Sequence, residues 1–234
     1  RPDRGGERDV NEAGVGRGEV QYVHTAGVID LTWGHPDPAA LAGGEIAAAF
    51  DEVLGEHGST ALSYGAAQGA WTVREAIAEH LTEVDHPVGP DQVLVTAGSS
   101  GGLDLLLTRL LRPGDVVFVE QPTYFLALGI FRDHHLEVVG LTSDELGPDP
   151  ADLARRATEL GAGGRRMLLY LVSTFANPTG RCLPPERAAE LLGVAASHAI
   201  AVVDDDVYRD TAPGAPPSLQ AIDPTVFRLG SFSK

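Results

Sequence analysis

The sequence predicts an α/β fold: a three-layer α/β/α domain on a mainly parallel sheet. Three observations lead there. Short apolar runs such as 115–120 (DVVFVE) and 166–172 (RMLLYLV) lack polar–apolar alternation, the mark of a strand covered on both faces. Segments of helical periodicity separate these runs, as in a chain of βα units. Pro, Gly and Asp cluster at the joints between them.

The elements follow in order. Residues 1–40 show no periodicity before 28–32. Residues 1–17 are charged and Gly-rich, lack the apolar centre of a secretory signal, and read as a mobile arm. Trp33 to Pro38 is rich in turn formers. Residues 45–57 place Ile46, Phe50, Val53 and Leu54 on one helical face. A loop is expected over 63–69 and a second helix over 72–84, stopped by His86-Pro87 and Gly89-Pro90. Alternation then begins. Strands are expected at 92–96, 115–120, 136–141, 166–172, 200–204 and 226–231. Helices are expected at 101–111, 124–133, 151–160 and 185–198, the last opened by a proline at its first turn. The expected division is an N-terminal arm at 1–40 and one large domain at 41–234.

Composition narrows the function. The 234 residues are 43% hydrophobic, enough for one substantial core, and no apolar run reaches the roughly 20 residues of a membrane helix. A formal charge of −16 argues against nucleic acid or an anionic membrane as partner. One cysteine, Cys182, excludes an internal disulfide framework and fits a reducing cytoplasm. The 17 basic residues include a single lysine, Lys234. Arginine effectively never deprotonates, whereas lysine can act as an amine nucleophile. A lone lysine in an arginine-rich chain therefore suggests amine chemistry, although codon bias gives the same count.

In a parallel sheet, ligands bind beyond the carboxyl ends of the strands, so the polar residues there are the candidates. Gly98-Ser99-Ser100-Gly101 opens a helix, where free amides and the dipole suit a phosphate or a plain cap. Tyr124 follows Glu120-Gln121-Pro122-Thr123 and could stack on a flat ring or sit in the core. Asn177-Pro178-Thr179-Gly180 is excluded from glycosylation by its proline, and would fix an Asn side chain in a turn. Asp204-Asp205-Asp206-Val207-Tyr208 could hold a hard cation, meet a protonated ring nitrogen or end the strand in solvent. Ser231-Phe232-Ser233-Lys234 matches a Ser-x-x-Lys nucleophile motif, but the companion Ser-Asp-Asn and Lys-Thr-Gly elements are missing.

Taken in order, these segments resemble the fold type I, class I/II aminotransferases that use pyridoxal 5′-phosphate (PLP). The nearest subgroup is that of the 2-aminoadipate and aromatic aminotransferases, which also forms the effector half of MocR-type regulators. The resemblance runs from about Ile29 to Lys234. It implies the large domain of a PLP-dependent transferase, with the small domain of the family absent from these residues. It implies transfer of an amino group between an amino acid and a 2-oxo acid by a cytoplasmic homodimer. Lys234 would hold PLP as a Schiff base and shuttle the proton. Asp205 would keep the pyridine nitrogen protonated, Tyr208 and Asn177 would bond the phenolic oxygen, and Tyr124 would stack on the ring. Ser99, Ser100, Gly101 and Ser231 would hold the phosphate, joined by Tyr64 from the neighbouring subunit. Gly34, in a loop of the arm, would lie by the substrate carboxylate. No metal is implied. Gly98-Ser99-Ser100-Gly101 departs from the commoner Gly-Ser-Gln-Gln of the subgroup. A PLP-dependent C–S lyase of the same fold, the ligand-sensing domain of a MocR-type regulator and a non-catalytic remnant remain alternatives.

Overall fold

A computed structural model describes Gly27, Ile29, residues 41–161 and residues 163–233. The chain divides into two compact units, Arg1–Ala61 and Leu62–Lys234. The first contains helix α1 (Gly43–His57), none of whose residues is buried. Its apolar stripe, Ile46, Phe50 and Val53, is exposed.

The second unit opens with α2 (Trp71–Val84). Arg74 of α2 is buried and donates to the Gly69 and Pro90 carbonyls at 3.3 and 2.8 Å, so it ties the flanking loops to the helix. The sequence predicts a strand at 92–96. A 3-10 turn, Pro90–Gln92, occupies its start, and the rest joins no sheet. Val93 is extended (φ −99°, ψ 132°), but a strand also needs a ladder partner. Instead, Val95 donates its amide to the Gln68 carbonyl of a loop at 2.9 Å, and Val93 and Leu94 line a cavity with Arg228 and Gly230.

The remainder follows the expected alternation: α3 (Gly98–Leu110), β1 (Val116–Glu120), α4 (Phe125–Asp133) and β2 (Glu137–Leu141). A short hairpin, β3 (Ser143–Asp144) with β4 (Gly147–Pro148), comes next. Then come α5 (Pro150–Gly161), β5 (Met167–Leu171), α6 (Pro185–Ser197), β6 (Ala201–Asp205), α7 (Leu219–Ile222) and β7 (Phe227–Leu229). Helix α3 starts three residues before its predicted start, because Gly98 at φ 71° makes the sharp entry and the small residues after it continue the helix. The hairpin and α7 were invisible to periodicity, since two- and four-residue elements carry less than one period.

The five long strands form one parallel sheet in the order β2-β1-β5-β6-β7. Strand residues alternate between two cores, as a pleat requires. Val116, Phe118, Leu169, Leu171 and Val202 pack with Leu153 of α5, Leu191 of α6 and Leu219 of α7. Val117, Val119, Leu168, Tyr170 and Val203 pack with Leu103 and Leu107 of α3 and Phe131 of α4. This is the expected three-layer arrangement. The chain leaves β1 towards one face, through α4, and leaves β5 towards the other, through α6. The loops after β1 and β5 therefore diverge and open a crevice at the carboxyl edge. Among the described residues, no helix is long and apolar enough to cross a membrane.

Candidate active site

The crevice gathers residues from three strand exits and one helix start. Ser99, Tyr124, Val172, Asn177, Asp205, Val207 and Tyr208 line one pocket. Tyr124 comes from the β1 exit, Val172 and Asn177 from the β5 exit, and Asp205 to Tyr208 from the β6 exit. Ser99 lies in the first turn of α3, where helix amides lack intrahelical partners. Gly102, one turn on, lets that helix start sit tightly on its surroundings. A Cβ there would lie 3.0 Å from Leu229 Cδ2 and 3.3 Å from Thr96 Oγ1.

Asp205 is buried at the end of β6. Tyr170 Oη donates to its Oδ2 at 2.5 Å. Asn177 Nδ2 donates to Tyr208 Oη at 3.4 Å. Burial pushes the Tyr124 phenol above its ordinary pKa of 10.0, and the neighbouring Tyr208 and Asp205 push the same way. Burial also raises Tyr170 far above that value, reinforced by the charge of Asp205 and the hydrogen bond to it. Both phenols thus stay protonated donors near neutral pH.

A second set of charges braces the floor. Asp206 Oδ2 lies 2.5 Å from Arg209 Nε and 3.0 Å from Arg228 Nε. Arg228 also reaches Asp85 Oδ2 at 2.9 Å. Arg228 lies on β7, Asp206 just past β6 and Asp85 just past α2, so three elements are locked together. Burial pushes Asp85 up, but the Ser218 hydroxyl and amide, His86 and Arg228 together hold it down at about 2. Asp204 is raised by burial and by the charge of Asp206, against the pull of Ser173, the Leu219 amide and Arg228.

The expected residues thus separate. Ser99, Tyr124, Asn177, Asp205 and Tyr208 meet in one pocket. Ser100 and Gly101 continue the first turn of α3 but do not line the pocket. Ser231 lines the adjoining cavity with Phe232, Asp206 and Val207, and its Oγ accepts from the Ser233 amide at 3.1 Å. Tyr64 is fully exposed on its loop. Lys234 and Gly34 lie outside the described residues. The hard-cation reading of the three aspartates has no support: among the described residues, no group of three or more His, Cys, Asp or Glu is placed to hold a metal. Sequence reasoning missed Tyr170, Arg209 and Arg228. For Tyr170 a signal existed, a hydroxyl near the end of an otherwise apolar strand.

Residues 26–234 match the family described as aminotransferase class I and II. The chain belongs to that family. Aromatic-amino-acid aminotransferase 1 of Thermococcus litoralis is 33% identical over 221 residues, which are 92% of this chain and 53% of that protein. The multiple substrate aminotransferase of Thermococcus profundus superposes with a TM-score of 0.81 at 32% identity, covering 90% of this chain and 54% of that one. LysN, the α-aminoadipate aminotransferase of Thermus thermophilus, superposes with a TM-score of 0.72 at 33% identity, covering 85% and 51%. Its crystal structure holds N-(5′-phosphopyridoxyl)-L-leucine. This chain therefore spans about half the length of the relatives it matches.

Proposed function

We propose that the chain is the PLP-binding large domain of an aminotransferase that moves an amino group between an amino acid and a 2-oxo acid. The observation that carries this reading is the convergence of Asp205, Asn177, Tyr208, Tyr124 and Ser99 on one pocket at the sheet's crevice. Those residues fit a flat, phosphorylated pyridine. A buried carboxylate suits a cationic ring nitrogen, Tyr124, Val172 and Val207 give apolar walls, and the α3 amides suit an anion. The phosphopyridoxyl compound held by LysN supports the same group here.

When bound, PLP supplies an electron sink for a carbanion at the substrate Cα. The chain's residues would do the rest. Asp205 would hold the proton on the ring nitrogen by charge. Tyr208 and Asn177 would donate to the phenolic oxygen. Tyr124 would stack on the ring and exclude water. Ser99, with Ser100, Gly101 and Ser231, would position the phosphate. Lys234 would bond the cofactor and then carry a proton between Cα and C4′. Gly34, in the 1–40 arm, would leave room for the substrate carboxylate. Tyr64, exposed here, would complete the phosphate site of a second subunit in a homodimer.

The test is direct. The chain is mixed with PLP, reduced with borohydride and mapped by mass spectrometry. A phosphopyridoxyl group on Lys234, lost in Lys234→Ala, is the expected result, and a chain that fixes no cofactor refutes the reading. Conversion of the bound cofactor to its amine form by an amino acid would mark transamination. Release of ammonia and a keto acid with no amino acceptor would instead mark the lyase.

A further inference from the structure

Tyr170 plays no part in the proposed function, yet it touches the residue on which that function turns. It lies on β5, directly beside β6, and is wholly buried. In the parallel register it faces Val203, two residues before Asp205. Period two puts Val203 and Asp205 on the same face of β6, and Tyr170 shares the core on that face with Val203. A tyrosine two positions back is long enough to reach forward to the strand end. Its Oη donates to Asp205 Oδ2 at 2.5 Å.

The ring is held in place. Phe131 of α4 meets it edge-on, with centroids 5.3 Å apart and planes at 75°. The other side chains of β5 are Met167, Leu168, Leu169 and Leu171, so this hydroxyl is the strand's one polar side-chain group. A phenol this deeply buried keeps its proton, and towards an ionised carboxylate it can only donate. A donor aimed at a carboxylate favours its charged form. A buried bond of this kind also holds the plane of the carboxyl.

We propose that Tyr170 is a positioning residue: its hydroxyl keeps the Asp205 carboxylate ionised and oriented towards the ring nitrogen of PLP. This rests on the PLP reading above. Tyr170 touches Asp205 and acts only through it, whereas Tyr124 and Tyr208 line the pocket themselves. Substitution by phenylalanine removes the oxygen and leaves the ring against Phe131.

A double-mutant cycle on the chain tests this, with PLP itself as the probe. Wild type, Tyr170→Phe, Asp205→Asn and the double variant are titrated with PLP, following the absorbance of the bound cofactor. Melting is measured without PLP. The expected result is a loss of PLP affinity of about tenfold for Tyr170→Phe, with a changed absorbance band, because a charge-assisted bond is roughly that strong. In the Asp205→Asn background the same substitution should change affinity less than about twofold, since there is no charge left to hold. Wild-type affinity in Tyr170→Phe, or an equal loss in both backgrounds, overturns the proposal. If wild type binds no PLP, the proposed function falls, and this role with it. A second measurement avoids the variant. The Tyr170 hydroxyl proton, observed by NMR in the wild-type chain, should exchange slowly and resonate far downfield. A rapidly exchanging proton overturns the bond.

Discussion

At the scale of single residues, the site depends on groups whose neighbours fix their state. Asp85 is the clearest. Its folded value of about 2 lies below the ordinary 3.8, so its contribution to stability is fully present above pH 3.8 and is lost as the pH falls through about 2. Melting curves should therefore fall steeply between pH 4 and 2, and Asp85→Asn should remove that part of the fall. Asp204 has the opposite sign. Its folded value is raised, so ionising it costs more in the folded chain, and stability should decline as the pH rises above about 4. Asp204→Asn should flatten that decline between about pH 4 and 7. A steeper decline would show that burial is not what governs this group. Gly69 gives a third test. It has φ 100°, and an added Cβ would lie 2.6 Å from Val95 Cγ2. Gly69→Ala should cost about 1–3 kcal/mol, read as a lower melting temperature.

At the scale of elements, Arg228 is a brace. It joins β7 to the β6 exit and to the end of α2 through Asp206 and Asp85. Removing it leaves Asp206 with Arg209 alone and Asp85 with Ser218, His86 and the more distant Arg209, so Arg228→Met should destabilise by about 1–3 kcal/mol in denaturant unfolding. Adding Asp85→Asn should restore part of that loss, because the carboxylate that lost its nearest guanidinium is then neutral. If the two losses simply add, the groups are not coupled. None of this was legible in the sequence. Asp85 and Arg228 are far apart in the chain, and nothing local distinguishes a bracing arginine from a solvated one. The strands and most helices were legible, because a doubly covered strand must be apolar throughout. The stretch 92–96 shows where that signal fails. Apolar composition and extended dihedrals were there, but pairing depends on a neighbour that the segment's own residues do not specify.

At the scale of the whole sheet, two cores on opposite faces share the strands β1, β5 and β6. The central strands β1 and β5 are buried along their whole length, whereas β2 exposes Glu137 and Val138 and β7 exposes Phe227. Hydrogen exchange should be slowest at the amides of β1 and β5 and faster in β7. Equal protection of β7 would mean that the sheet opens only as a unit. Most of the pocket was legible for a related reason. Parallel strands deliver their exits to one edge, so a list of polar residues after strands is nearly a list of neighbours. Tyr170 escaped the list because it sits within a strand and reaches the edge by its length alone.

The three consecutive aspartates at the end of β6 carry a last consequence. Asp204 takes the Leu219 amide, Asp205 the Tyr170 hydroxyl and Asp206 two guanidinium groups. By composition they are interchangeable letters, and by place they are three different parts. A shift of register by one residue here would leave an aspartate at two of the three positions and still misassign each one. An inserted or deleted residue between 201 and 206 should thus be tolerated far less than any single replacement there. In this stretch the spelling is redundant and the counting is not.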